Sequence, residues 1–97
     1  MIPKKFTLGA VEWIIKIDNK RLNDNKSYGI SDYHTSEITI QDKVETHQRK
    51  DYAVEQTLYH EVIHSILDTM SEYDLSNNEK FVQGFSILLH QYEKTKE

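Results

Sequence analysis

Two histidines and a glutamate in the sequence His60-Glu61-Val62-Ile63-His64 form the part of this chain best suited to chemistry. On a helix the two histidines are one turn apart, about 6 Å along the axis, so both imidazoles can bind one metal ion. Glu61 lies about 100° around the helix from His60, beside such an ion, where it can accept a proton from a metal-activated water. Zn²⁺ held by neutral imidazoles lowers the pKa of that water towards ~7. The pattern therefore predicts hydrolysis with Zn²⁺ as cofactor and Glu61 as general base.

A third protein ligand is needed, because catalytic zinc sites hold the ion with three protein groups. Glu79 is the preferred candidate, since it lies on the polar side of a second predicted helix, near its beginning. The same residue ends the capping-box sequence Ser76-Asn77-Asn78-Glu79, in which its side chain would bond to the Ser76 amide instead. The residues alone leave these two roles equally open. Asp68 is about 12 Å of helix axis from His60, too far for both to bind one ion.

The alternative to a metal site is an ordinary solvated helix face. The polar residues opposite the apolar arc of this helix would then simply face water; they are Thr57, His60, Glu61, His64 and Asp68. An H-E-x-x-H sequence arises by chance in so short a chain well under about one time in a hundred. It also lies in the middle of a predicted helix, which favours the metal site.

These residues resemble the small zincin-like metallopeptidases encoded by bacteriophages and prophages, related in plan to the minimal gluzincin domains of the ImmA/IrrE type. The resemblance rests on His60–His64 followed by Ser76–Val82, and it covers most of the chain because the β-rich stretch Tyr28–Gln41 also fits. In gluzincins a glutamate on the following helix completes the metal site, so the resemblance favours Glu79 as the third ligand. A metzincin-like site is not supported, since Met70 stands six residues after His64 in place of His or Asp.

The resemblance also implies a peptide or protein substrate that pairs with a strand edge preceding the metal-binding helix. Such pairing gives affinity with little sequence selectivity. The predicted function is that of a zinc-dependent metallopeptidase in the cytoplasm of a bacterial or phage-infected host cell. The alternative is a non-catalytic, zinc-stabilised protein-interaction module of phage origin. The segment that matches the substrate-binding edge consists of Glu37, Ile38, Thr39, Ile40 and Gln41.

An amide hydrolase also needs a hydrogen-bond donor for the oxyanion. Tyr33, Tyr73 and His34 are the candidates for this role. Tyr52, Tyr59 and Tyr92 lie on predicted apolar faces and are expected to pack.

Alternating apolar residues predict the strands that precede the helices. Val11–Ile17 and Glu37–Gln41 alternate clearly, and Tyr28-Gly29-Ile30 begins a further β-rich stretch. Lys20–Ser27 is rich in Asn, Asp and Lys and is predicted to be a loop, while Asp32–Ser36 is predicted to be a turn. Adjacency along the chain then gives a three-stranded antiparallel meander.

A helical period replaces the alternation from about Arg49. The first predicted helix ends near Met70-Ser71, and a second runs from about Asn77 to Lys94. Strands followed by helices indicate one α+β domain over residues 1–97. The resemblance implies that this domain has the zincin-like minimal fold. The apolar arcs of the two helices contain Val54, Leu58, Val62, Ile63, Ile66 and Met70 in the first, and Phe81, Val82, Phe85, Leu88, Leu89 and Tyr92 in the second.

Composition excludes several classes of protein. The 97 residues include no cysteine, so a disulfide or a thiolate metal site is excluded and any metal must be held by histidine and carboxylate. A formal charge of −4 without a dense basic stripe argues against nucleic acid as a partner. No apolar run approaches the ~20 residues of a membrane span, so no membrane partner is expected. The oligomeric state is not determined by these features.

Overall fold

The chain folds into a mixed four-stranded sheet, a two-stranded ribbon and four helices, as described by a computed structural model for residues 2–97. The α+β class is therefore confirmed. No helix within residues 2–97 has the length and hydropathy needed to cross a bilayer. The elements in chain order are β1 (Lys5–Leu8), β2 (Val11–Ile17), α1 (Asn19–Asn25), β3 (Gly29–Asp32), β4 (Glu37–Ile40), β5 (Lys43–Val44), β6 (His47–Gln48), α2 (Asp51–Thr69), α3 (Tyr73–Ser76) and α4 (Glu79–Thr95).

The sheet is not the predicted antiparallel meander. Its strand order is β1-β2-β4-β3, and β2 and β4 run parallel. The wrong prediction of the strand order arises in the segment Lys20–Ser27. This segment was predicted to be a loop, but most of it belongs to helix α1. The Asp18 side chain accepts a hydrogen bond from the Arg21 amide at 3.1 Å, and Leu22 is fully buried. Because α1 follows β2, the chain returns through the outer strand β3 before β4 enters between β2 and β3.

Strand β4 is consequently an inner strand, and the predicted substrate-binding edge is wrong. Ile38 pairs with Ile15 of β2 on one side and with Ser31 of β3 on the other. The backbone N–H and C=O groups of β4 are hydrogen-bonded to neighbouring strands on both sides, so no peptide can pair with this strand. Within residues 2–97, β3 pairs with β4 alone and forms one edge of this sheet, while β1 forms the other. The residues that lose the predicted substrate role and belong to the interior strand or its end are Glu37, Ile38, Thr39, Ile40 and Gln41.

Helix α2 lies between the sheet and α4, and both long helices begin and end within two residues of their predicted bounds. Met70 is the exception to the predicted apolar arc of α2, since it is exposed beyond the end of that helix. The buried apolar side chains fall into two clusters on different sides of α2. The cluster towards the sheet contains Trp13, Ile15, Ile38, Ile40, Val54 and Leu58, and the cluster towards α4 contains Ile63, Leu67 and Val82.

Helix α4 places polar side chains in its contact with α2. Ser86 and His90 are fully buried, and they bond to Gln56 of α2 through Ser86 Oγ at 3.0 Å and His90 Nδ1 at 2.8 Å. Buried polar groups need hydrogen-bonding partners, and these contacts provide them. Because polar side chains of α4 share this contact with Val82, much of the predicted apolar arc is exposed, including Phe85, Leu88 and Tyr92.

Candidate metal centre

The three residues predicted as metal ligands lie together where α2 meets the beginning of α4. His60 Nε2 is 3.1 Å from Glu79 Oε2, and His64 Nε2 is 3.2 Å from Glu79 Oε1. One ligand atom from each residue lies within 4.8 Å of the other two. Ligand atoms of a tetrahedral zinc site are about 3.3 Å apart, given zinc–ligand distances near 2.0–2.2 Å. The donor set therefore fits Zn²⁺ with small side-chain movements. The cluster does not include His34, His47, Asp68 or His90.

Glu79 does not form the predicted capping box. The residue that caps α4 is Asn78, whose side-chain oxygen accepts a hydrogen bond from the Phe81 amide at 3.1 Å. Ser76 belongs to the short helix α3, and its hydroxyl bonds to His64 instead. The Glu79 carboxylate is thus not used in capping and faces the two histidines. The metal-ligand role of Glu79 remains as the interpretation consistent with these contacts.

Each histidine has a second polar partner on its other ring nitrogen. His60 Nδ1 is 2.6 Å from Gln83 Oε1, and His64 Nδ1 is 3.1 Å from Ser76 Oγ. An amide oxygen can only accept, so His60 donates its Nδ1–H to Gln83, and a metal ion between Nε2 and the Glu79 carboxylate would take the Nε2 lone pair. The Ser76 hydroxyl can accept from His64 in the same way. Such partners hold a ligand histidine in its metal-binding tautomer and orientation.

Replacing Gln83 with alanine is expected to weaken zinc binding by about 10–100-fold, because His60 would lose the group that fixes its ring. Competition with a chromophoric chelator would measure this affinity. Gln91→Ala is the matched control, since Gln91 lies on α4 and is exposed. Equal zinc affinities for the two variants would contradict the role given to Gln83.

Glu61 faces the sheet rather than solvent. Its exposed fraction is 7%, and Thr57, one turn earlier, is 8% exposed, so the solvated-face alternative is wrong for these two residues. Gly29 of β3 lies directly against them. A Cβ at Gly29 would be 2.9 Å from Glu61 Cγ and 2.8 Å from Thr57 Cγ2. Only glycine allows this approach, which places the Glu61 side chain beside the β3 backbone.

Burial raises the pKa of Glu61 to about 7, and the negative charge of Glu79 adds to the effect. The folded chain therefore binds this proton more tightly than the unfolded chain, where the pKa is near 4.5. By linkage, the metal-free protein loses stability as the pH rises from about 4.5 to about 7, and the loss is complete above that range.

Glu61→Gln is accordingly expected to stabilise the metal-free protein at pH 8 by about 1–3 kcal/mol, with little gain near pH 4.5. Urea denaturation in the presence of a chelator at both pH values would measure the free energy of unfolding. Glu72→Gln, which changes an exposed glutamate, should show no such pH-dependent gain. A destabilised Glu61→Gln protein at pH 8 would disprove the prediction.

The ligand cluster and Glu61 line a cleft of about 560 Å³. Tyr28, Arg49 and Tyr52 also line it, and sequence patterns did not identify Tyr28 or Arg49 as site residues. Single tyrosines and arginines are common, so only their tertiary position distinguishes them. The predicted oxyanion donors Tyr33 and His34 line a different cavity, and Tyr73 is not among the residues of the cleft.

Tyr52 is held in the cleft wall by a buried histidine. The His90 ring stacks between Tyr52 and Tyr59, with centroid distances of 4.3 and 4.6 Å. Its Nδ1 bonds to Gln56, and its Nε2 lies 3.4 Å from Glu55. His90 therefore serves packing and hydrogen bonding within the α2–α4 contact. Tyr52 is 52% exposed and stacks on a histidine, so the expectation that it packs on an apolar face is wrong.

Comparison of the chain with protein family models, curated proteins and solved structures finds no match. Function must therefore be inferred from the geometry and chemistry of the side chains in this cleft.

Proposed function

We propose that this protein is a zinc-dependent peptidase of zincin-like plan, with His60, His64 and Glu79 as metal ligands and Glu61 as general base. The observation that carries the proposal is the convergence of two histidine Nε2 atoms on one carboxylate, at 3.1 and 3.2 Å, beside a second, buried carboxylate. The elements that hold these groups are two helices packed against each other, which gives the site a rigid frame.

The donor set favours catalysis over a purely structural role for zinc. Two histidines and a glutamate are a ligand set used in catalytic zinc sites, whereas structural sites are closed by four protein ligands. The cluster within residues 2–97 has three members, and it opens on the cleft. When bound there, Zn²⁺ would act as a Lewis acid that polarises a carbonyl group and lowers the pKa of water.

Glu61 has the properties expected of a general base. Its pKa is about 7 in the metal-free protein, and a bound Zn²⁺ would lower this pKa and favour the carboxylate form. The carboxylate form accepts a proton from the attacking water, and the carboxylic acid form returns a proton to the leaving amine. Burial against Gly29 and Thr57 keeps bulk water away from the carboxylate and holds it at the floor of the cleft.

The outer edge of β3 is the best place for an extended substrate. Gly29 begins this strand and lines the cleft, and its backbone adjoins the Glu61 side chain. A peptide that pairs with the β3 backbone would therefore run past the general base. Ser31 Oγ bonds to Ser65 Oγ at 2.9 Å, which ties the same strand to α2. The edge proposed from the sequence is thus moved from β4 to β3.

Metal analysis of the purified protein after zinc supplementation tests this proposal, together with a cleavage screen on a mixed peptide library. We expect one zinc per chain for the wild type and for His47→Ala, which alters an exposed histidine. His64→Ala and Glu79→Ala should lose stoichiometric zinc. Wild-type protein without zinc would overturn the proposal. Stoichiometric zinc with no cleavage of any peptide would identify the non-catalytic zinc-stabilised module instead.

A further inference from the structure

One wall of the cleft carries a cation that the proposed hydrolysis does not use. The guanidinium carbon of Arg49, between β6 and α2, lies 4.5 Å from the centre of the Tyr28 ring. Its Nη1 donates to the Gln41 carbonyl at 2.5 Å, and its Nη2 donates to the Ala53 carbonyl at 3.1 Å and to Thr57 Oγ1 at 2.7 Å. These contacts hold the guanidinium firmly. All of its acceptors are neutral oxygens.

The charge of Arg49 has no directly bonded anion. No carboxylate of residues 2–97 lies within ion-pair distance of it, and Asp42 attracts it only from further away. Three of its five N–H groups are used by the protein, so two remain for a ligand. Partial burial disfavours its charged form and lowers the Arg49 pKa. An anion entering the cleft would supply the missing charge complement and accept charge-assisted hydrogen bonds.

Arg49 lies close to the general base. It bonds to Thr57, which precedes Glu61 by one helical turn, about 6 Å. Thr57 and Glu61 also flank one point on β3, since a Cβ at Gly29 would lie within 3 Å of both side chains. An extended peptide covers about 3.3–3.6 Å per residue. An anionic group bound by Arg49 would thus belong to a residue about one to three positions from the hydrolysed bond.

The direction of the strands decides on which side of that bond the anionic group lies. Along β3, Gly29 adjoins Thr57 and Glu61, whereas Ser31 adjoins Ser65 further along α2. Antiparallel pairing is the more stable arrangement for an added strand. A peptide paired in this way runs from the Ser31 end of β3 towards the Gly29 end, so its C-terminal part reaches Arg49.

We infer that Arg49 and Tyr28 form a carboxylate-binding subsite that selects peptides with a free C-terminal carboxylate, or an acidic side chain, on the leaving-amine side of the hydrolysed bond. The position of that bond rests on the proposed peptidase function. Carboxylate binding itself does not require turnover and can be measured separately. Tyr28 contributes an exposed ring that covers one face of the guanidinium.

Calorimetric titration of zinc-supplemented Glu61→Gln protein, which blocks turnover, tests this subsite. The probes are N-acetyl-tetraalanine as the free acid, the same peptide as its amide, and the amide with glutamate as last residue. We expect the acid to bind about tenfold more tightly than the amide, as for a charge-assisted contact. Arg49→Met should abolish this preference. Arg21→Met is the matched control, because it removes the other arginine, which lies outside the cleft.

The inference would be overturned if the Arg49→Met protein still bound the free-acid peptide more tightly than the amide. It would also be overturned if protein with Arg49 in place bound the two peptides equally well. Arg49→Gln keeps an amide donor without the charge, so it provides the same test if Arg49→Met fails to fold. Tight binding of the glutamate amide would identify an acidic side chain as the carboxylate source. An Arg49-dependent preference in protein that binds no zinc would support the subsite and disprove the metal centre, so the two proposals can fail independently.

Discussion

Glu61→Gln is expected to lower kcat/KM for peptide cleavage by about 10²–10⁴-fold while the protein still binds one zinc per chain. Glutamine has nearly the same shape as glutamate, but its amide cannot accept the proton from the attacking water. The proposed metal ligands are His60, His64 and Glu79, and the substitution leaves all three in place. The loss should therefore appear in turnover rather than in metal content.

Initial rates on a peptide found in the cleavage screen, measured beside zinc content, would provide the test. Glu72→Gln serves as control, since it also converts a glutamate to its amide, at an exposed position. Glu61→Gln is expected to be more stable than the wild type in metal-free buffer at pH 8. A slow rate of cleavage by Glu61→Gln could therefore not be attributed to unfolding. Unchanged cleavage by Glu61→Gln would remove Glu61 from the mechanism.

Zinc removal is expected to lower the melting temperature by roughly 10–20 °C, compared with protein at a free zinc concentration 100 times Kd. Ligand at that concentration contributes about 2.7 kcal/mol, and each kcal/mol shifts Tm by about 4–8 °C in a domain of this size. The physical reason is that His60 and His64 come from α2 and Glu79 from α4. An ion at their meeting point would join two helices whose apolar cluster, within residues 2–97, has three buried side chains, with Ile66, Phe81 and Leu89 partly buried around them.

Differential scanning calorimetry with and without chelator would measure this shift. His64→Ala should melt at the same temperature in both conditions, because it lacks a ligand. His34→Ala, which changes an exposed histidine outside the cluster, should retain the full shift. A wild-type protein that binds zinc but melts unchanged after chelation would show that the ion does not brace the contact between the helices.

The features predicted well from sequence are those that depend on neighbouring residues. Helix α2 follows from the apolar period after Arg49, and the spacing of His60 and His64 places both imidazoles on one side of it. The sheet order was predicted wrongly because pairing between strands depends on the path of the chain between them. The decisive element is α1, whose short amphipathic pattern around Leu22 is weak in a segment rich in loop-forming residues.

The sequence by itself determined that His60, Glu61 and His64 lie together on one helix, since one helical turn relates His60 to His64 and places Glu61 beside them, but it left Glu79 open between metal ligand and helix cap. The tertiary structure decided what surrounds them. The fold buries Glu61 against Gly29, provides Gln83 as a partner for His60, and places Arg49 in the same cleft. These contacts join residues that are far apart in the chain. The periodicity of apolar residues within one segment therefore cannot predict them. They arise because the packing of α2 against both β3 and α4 brings these segments together.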